Sequence, residues 1–344
     1  MKKILLTIVV ILLLGGVWVA YNVLGPVVSA PEGKYFYIPT GSKYETVMKN
    51  ITEQKILPGT IFFNLIAKQL KYPQHVKPGR YEIKNGSNLI SLIRMLNAGN
   101  QSPVRLVINK LRTKEDLAKK IGDNFEADEQ SVFNFINSND SLKPYSLDTN
   151  TVMTAIIPDT YLLLWNSSFK KLFSRLNAES VKFWNKERLS KAAAKNLTPV
   201  QVYTISSIVD EETNIVSDKG LVASVYINRI NKGMKLQADP TVKYALRNFG
   251  LKRILYGHLT YPSSYNTYYT KGLPPGPIGT ALPQTLDAVL DAPETNFLFF
   301  AAKPDLKGYH AFSETYEQHK IHAKAYQHAL DSIILRKQQN QTGN

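Results

Sequence analysis

Residues 197–241, LTPVQVYTISSIVDEETNIVSDKGLVASVYINRINKGMKLQADPT, carry two helical patterns back to back with an acidic cluster at the join. Thr198 is a good N-cap residue, Pro199 suits the first helical position, and Gln201 completes a capping box with Thr198. Tyr203, Ile205, Ile208 and Val209 give an apolar face, which predicts an amphipathic helix running to about Thr213. At about 100° per residue, Asp210 and Glu212 fall on nearly opposite faces and do not form a paired carboxylate site. Glu212 lies four positions after Ile208 and three after Val209, at the edge of the apolar stripe. A carboxyl at that edge is partly desolvated, which raises its pKa and lets it hold a proton near neutrality. The plainer reading of Asp210, Glu211 and Glu212 is a solvated helix face, and the local pattern leaves both readings open. Asn214 to Gly220 reads as a turn, and a second amphipathic helix carries Leu221, Val225, Tyr226 and Ile230 on one side.

Around this stretch, 344 residues suffice for a membrane anchor and two or three compact units. The chain has no cysteine, which excludes disulfides, thiolate nucleophiles and Cys-ligated metals. A formal net charge of +15, from 42 basic against 27 acidic residues, draws it toward polyanions: nucleic acid, anionic lipid or anionic wall polymers. Ile4 to Leu24 has no charged side chain and follows Met-Lys-Lys, so it is long enough to cross a hydrocarbon core. Val28, Ser29 and Ala30 also offer a signal-peptidase site, but the apolar run is long for a signal peptide and Pro31 would follow the cut, which favours a retained anchor. Lys2 and Lys3 place the amino terminus in the cytoplasm and residues 25–344 outside.

The outer part begins with a Pro/Gly linker at 25–33. A strand is expected at Tyr35 to Ile38, helices at Tyr44 to Thr52 and Ile61 to Leu70, a strand at Arg80 to Ile83, and a helix from Asn88 to Asn97 closed by Gly99. This arrangement suits a small glycan-binding module or a packing module without a ligand. Val104 to Ile108 reads as a strand, Thr113 to Ile121 and Asp128 to Asn137 as helices, Asn139 to Asn150 as a loop, and Phe169 to Ser190 as one basic and apolar helix. Ser263 to Gly279, SSYNTYYTKGLPPGPIG, has the composition of an ordered loop that lines a site. Phe297 to Ala301 reads as a buried strand, with residues 308–312 returning beside it. Glu314 to Leu330 is the final helix and 337–344 a flexible polar tail.

No glycine-rich nucleotide loop and no HExxH zinc helix occur, and Ser206 and Ser207 lack a GxSxG context. His319 and His322 lie three apart without a third ligand, which reads as a solvated helix face, so no metal and no cofactor are expected. The lysines are scattered and no nucleic-acid module signature appears, so no nucleic-acid partner is expected.

SSIVDEET at 206–213, VASVYINRINKGMKLQADPTVKYAL at 222–246, YNTYYTKGLPPGPI at 265–278, FLFFAA at 297–302, GYHAFSETYEQH at 308–319 and PDTY at 158–161 occur in one order along the chain. Together with the short anchor they resemble the YceG-like (MltG) family of membrane-anchored endolytic murein transglycosylases. The family's acidic motif reads IxEKET, and its final glutamate, the catalytic one, maps onto Glu212. Asp210 and Glu211 depart from that motif, and the turn after the Pro-Pro segment is only loosely kept as GTALP. Extra negative charge at Glu211 favours a protonated Glu212.

The resemblance implies an α+β fold: anchor 1–24, linker 25–33, LysM-like α/β subdomain 34–102, intermediate region 103–157, mixed α+β catalytic domain 158–336 and tail 337–344. It implies lytic cleavage of the β-1,4 bond between N-acetylmuramic acid and N-acetylglucosamine within nascent peptidoglycan strands, leaving 1,6-anhydro ends and stopping elongation. It also implies an inner-membrane location with a periplasmic catalytic region, near membrane-bound peptidoglycan polymerases. The alternative is a wall-binding scaffold whose family site has decayed, motivated by positions 210 and 211. Expected substrate-side residues are Asn228 and Arg229 after the second helix, Gln237, Asp239 and Thr241 in a turn, and Ser264, Tyr265, Asn266, Thr267, Tyr268 and His310. For Arg229 an internal salt bridge and a contact to a peptide-stem carboxylate both stand, Asp239 orients either substrate or backbone, and His310 is either a groove or a structural histidine.

Overall fold

The apolar run at the amino terminus forms one helix, α1 (Lys2–Leu24), none of whose residues is buried. It is long and apolar enough to cross a membrane, a test that a signal sequence near the amino terminus also passes. The structure, a computed structural model, describes residues 2–342. Two compact units emerge: one comprises residues 1–106, 120–129 and 161–169, the other 107–119, 130–160 and 170–344.

In the first unit, strand β1 (Tyr35–Ile38) is followed by α2 (Tyr44–Glu53), α3 (Ile61–Gln69), strand β2 (Gly79–Glu82) and α4 (Leu89–Ala98). β1 and β2 pair antiparallel with Phe36 opposite Tyr81, and both side chains enter a core with Ile51, Phe63, Leu89 and Ile93. Asn88 caps α4 by accepting from the Ser91 N–H at 2.8 Å. Gly99 ends it at φ 74°, a left-handed turn that glycine adopts without a Cβ penalty.

Next come strand β3 (Val104–Ile108), α5 (Lys114–Gly122), α6 (Glu129–Ile136) and strand β4 (Asp159–Leu163), which pairs with β3. The expected loop at 139–150 instead holds the short helix α7 (Asn139–Leu142), capped by Ser138, and a 3-10 turn at Lys143–Tyr145. The single helix expected over 169–190 is two, α8 (Phe169–Phe183) and α9 (Lys186–Ala194). Asn185 breaks it by capping α9, accepting from the Arg188 N–H at 2.9 Å.

The second unit is assembled around α10 (Pro199–Glu212). The capping box forms as expected: Thr198 Oγ1 accepts from the Gln201 N–H at 3.2 Å, and the Gln201 side chain accepts from the Thr198 N–H at 2.8 Å. The amphipathic reading fails, because every residue from Val202 to Asp210 is buried. A helix enclosed on all sides shows no apolar stripe. α9, α11 (Val216–Asn231), α12 (Asp239–Ala245) and α14 (Pro283–Leu290) surround it, with α13 (Tyr256–Leu259) preceding α14 in the chain. Polar residues survive inside because their hydroxyls bond back to their own helix: Thr204 to the Val200 carbonyl and Ser206 to the Val202 carbonyl, both at 2.8 Å. Ile205, Ile208 and Val209 each contribute roughly 1.5–3 kcal/mol by burial.

α11 starts at Val216, five residues before the expected Leu221, and so takes in Asp218 and Lys219, both buried. Strand β5 (Phe299–Ala302) pairs antiparallel with β6 (His310–Ser313), as expected for the two segments, but β5 is half-buried. α15 (Tyr316–Thr342) packs on both strands and continues through most of the expected tail at 337–344, whose last two residues lie outside the described residues.

Candidate active site

The three acids at the end of α10 have three different surroundings. Asp210 is buried against Lys219 Nζ at 2.6 Å and also accepts from the Leu282 N–H at 2.8 Å and the Thr285 hydroxyl. Glu211 turns to the surface, where Lys110 reaches it at 2.7 Å and Arg112 at 3.4 Å. Glu212, the last helical residue before the extended Thr213, faces a cavity of about 280 Å³.

Inside that cavity Glu212 is half-buried, and its Oε1 accepts from the Tyr226 hydroxyl at 2.7 Å. Burial pushes the Glu212 carboxyl up to about 7. The Tyr226 hydrogen bond works against that rise by favouring the charged form, as does Lys243, while Asp239 and, least, Glu211 reinforce it. Burial, then the Glu212 charge, holds the Tyr226 phenol well above its ordinary value, so it remains a neutral donor. A carboxyl poised at this value is populated in both protonation states at neutral pH, the requirement for giving a proton and later accepting one.

The rest of the cavity is largely aromatic. Phe300 meets the Tyr226 ring edge-on at 5.9 Å, and Phe299, Tyr316 and Tyr268 complete the wall with Leu236, Arg229 and Gln237. His319 also lines it, which corrects the reading of His319 as part of a solvated face. The His319 ring stacks on Phe299 at 5.4 Å, and its Nδ1 is buried without a hydrogen-bond partner. Burial, with Arg229 and His322 nearby, lowers its pKa. Among the described residues no group of three His, Asp or Glu side chains is placed to hold a metal.

The sequence-expected residues divide by location. Glu212, Arg229, Gln237 and Tyr268 line the cavity. Arg229 and Asn228 lie within α11 rather than after it. The Arg229 guanidinium donates to the carbonyls of Leu298 at 2.6 Å and Leu236 at 2.8 Å and to Gln237 Oε1 at 3.2 Å, so its internal contacts are to carbonyl oxygens and tie α11 to β5. Asn228 donates to the carbonyls of Thr295 and Phe297, at 2.8 and 3.0 Å, and fixes the approach to β5.

Asp239 and Thr241 belong to α12, not to a turn. Asp239 is exposed and accepts from the Tyr268 hydroxyl at 2.7 Å. Thr241 and Thr267 are fully buried and bond to each other at 2.8 Å, while the Asn266 amide donates to the Tyr261 carbonyl at 2.8 Å. Thr241 and Thr267 hold the 263–279 loop against α12, Asn266 holds it against residues 258–261, and none of the three lines the Glu212 cavity. Ser264 is exposed, and Tyr265 lines a separate cavity. His310 is held by Asp218, which accepts from its backbone N–H at 2.7 Å and lies 3.0 Å from its Nδ1; its ring backs Phe300 at 5.4 Å.

Sequence reasoning missed Tyr226, Leu236, Phe299, Phe300, Tyr316 and His319 as lining residues. The one usable signal was the aromatic run at 297–300, which looks like core until β5 is seen to have a cavity on one side.

Residues 36–325 match the YceG-like family. The chain is 26% identical to an endolytic murein transglycosylase of Bacillus subtilis over 84% of its length and 83% of the relative's. It is 24% identical to an endolytic murein transglycosylase of Streptococcus pneumoniae over 77% of its length, but spans only 53% of that protein. The crystal structure of a YceG-like protein of Listeria monocytogenes superposes with a TM-score of 0.53 at 26% identity, covering 83% of this chain and 97% of the other. With most of its length matched, the chain belongs to the YceG-like family.

Proposed function

We propose that this protein is a membrane-anchored lytic transglycosylase that cuts glycan strands of peptidoglycan internally, with Glu212 as the single acid and base. The observation that carries the reading is a half-buried carboxyl with its pKa raised to about 7, bonded to Tyr226 in an aromatic-walled cavity. Kinship with two proteins named endolytic murein transglycosylases supplies the substrate class.

One carboxyl suffices for this reaction. Hydrolytic glycosidases need a second carboxyl to activate water or to form a covalent adduct. In the lytic route Glu212 gives its proton to the O4 of N-acetylglucosamine as the bond to C1 of N-acetylmuramic acid breaks. The C6 hydroxyl of the same muramoyl ring then attacks C1, and its proton passes to Glu212. The bond broken is C1–O4, the bond formed is C1–O6, and no water is consumed. Tethering of the nucleophile supplies the orientation that an enzyme must otherwise impose. Tyr226 fixes the carboxyl, while Phe299, Phe300 and Tyr316 offer faces for sugar rings. Gln237, Tyr268 and Arg229 are the polar contacts we assign to the saccharide; Asp239 acts by orienting Tyr268.

We read the β1–α2–α3–β2–α4 arrangement as a LysM-like module that holds the strand, α1 as a retained inner-membrane anchor, and the site as periplasmic, acting on strands newly made by membrane-bound polymerases. The scaffold alternative is disfavoured by the Glu212 and Tyr226 pair, since a decayed site has no need of a raised carboxyl. The test is cleavage of purified glycan strands in ¹⁸O-water, with products weighed by mass spectrometry. Anhydro ends without ¹⁸O, absent with Glu212→Gln, are expected. Reducing ends carrying ¹⁸O would show a hydrolase instead, and binding without turnover would show a scaffold.

A further inference from the structure

The second unit holds another cavity, of about 250 Å³, whose lining includes Lys114, Asn150, Tyr244, Arg247 and Tyr265 and contains two cations but no carboxylate. Lys114 opens α5, where the helix dipole disfavours positive charge. Its ammonium donates to the Thr149 carbonyl at 3.1 Å and to Asn137 Oδ1. Burial and then Arg247 lower its pKa, against the opposing charges of Glu115 and Asp148.

Those two acids are already engaged. Asp148 Oδ1 accepts from the N–H groups of Asn150 and Thr151 at 2.8 Å, and Glu115 meets Arg247 only at 3.6 Å on the surface. Lys114 and Arg247 both line one polar recess whose own lining has no carboxylate, so an anion entering it meets two cations. Arg247 follows the C-cap of α12 at φ 52°, with its N–H donating to the Tyr244 carbonyl at 3.0 Å. The opposite wall is rigidly placed: a Cβ at Gly276 would collide with the Asn150 carbonyl, so the 263–279 loop rests directly on that backbone. The Tyr265 hydroxyl reaches Asn150 Oδ1 at 3.4 Å.

α12 connects this recess to the Glu212 site. Asp239, its first residue, bonds to Tyr268 in the Glu212 cavity, and Tyr244 lines the second cavity. At 1.5 Å rise per residue, the five steps between them cover about 7.5 Å.

We propose that the recess of Lys114, Asn150, Arg247 and Tyr265 is a subsite for a carboxylate carried by the substrate strand, that is, the peptide substituent of a glycan unit near the one cleaved. The sequence offered Arg229 for such a contact, but its Nε and Nη1 are engaged by carbonyl oxygens and it lines the Glu212 cavity instead. The proposal rests on the glycan reading of Glu212, and its test separates the two.

The full chain in detergent micelles is given three strands: with free peptide carboxylates, with those carboxylates amidated, and with peptides removed. The wild type should show a KM about tenfold lower for the first than for the other two, with similar kcat, as expected for one charge-assisted contact. Arg247→Gln, at an exposed position whose loss should leave the melting temperature near wild type, should erase the preference. In parallel, binding of a soluble muramoyl peptide to Glu212→Gln is measured as free acid and as amide, with and without Arg247→Gln. About tenfold tighter binding of the free acid, lost with Arg247→Gln, supports the subsite even if no strand is cut, in which case only the cleavage reading falls. Equal affinity for acid and amide, or a preference that survives Arg247→Gln, overturns it.

Discussion

Asp210 and Glu212 sit two residues apart on one helix and face opposite solutions to the same problem, a carboxyl removed from water. Asp210 has everything a buried charge requires: an ammonium at 2.6 Å, a backbone N–H and a hydroxyl. Glu212 has one phenol and an open aromatic cavity. Asp210 is fully paired and joins α10 to α11 and α14; Glu212 is underpaired, and burial raises its carboxyl to about 7. Both acids are out of water, and incomplete pairing is what sets the proposed acid, Glu212, apart from Asp210.

The comparison breaks most sharply on substitution of the two acids. Glu212→Gln should lower glycan cleavage by about 10²–10⁴-fold with the fold intact, measured as initial rates beside a thermal melt. Asp210→Ala should do the reverse, costing about 3–5 kcal/mol in denaturant unfolding because Lys219 is left buried and unpaired. Replacing Asp210 and Lys219 together by apolar residues of similar volume should recover much of that loss. If Asp210→Ala proves stable but inactive, the division of roles is wrong.

A smaller effect sharpens the contrast from the Glu212 side. The Tyr226 hydrogen bond stabilises the charged carboxylate, so Tyr226→Phe should raise the Glu212 pKa further above about 7. Since the proposed reaction begins from the protonated acid, the alkaline limb of the pH–rate profile should move up by about one unit, with kcat/KM at pH 7 changed by about tenfold or less. An alkaline limb that moves down would contradict the assigned direction. The least effect belongs to Glu211: Lys110→Ala removes a surface pair at 2.7 Å and should cost under about 1 kcal/mol, as read by thermal unfolding.

Legibility followed the range of the interactions. The capping box at Thr198, the Gly99 stop, β1 and β3 were readable because their determinants lie within a few residues. The break at Asn185 and the early start of α11 were not: Asn185 is an ordinary polar residue until it caps, and Asp218 and Lys219 look solvated until His310 and Asp210 arrive from elsewhere in the chain. The amphipathic reading of α10 failed because its serines and threonines resemble a polar face and are instead satisfied within the helix. At the site, angular spacing separated Asp210 from Glu212 and the family motif singled out Glu212. Tyr226, Phe300 and His319 were hidden, since nothing local marks which aromatic residues line a cavity and which fill a core.

The central claim is that Glu212 holds its proton near neutrality. Its most direct test is an infrared titration of the protonated carboxyl band, taken as wild type minus Glu212→Gln. The account predicts a single carboxyl that loses its proton at about pH 7. A band that titrates near the ordinary value of 4.5 would contradict it.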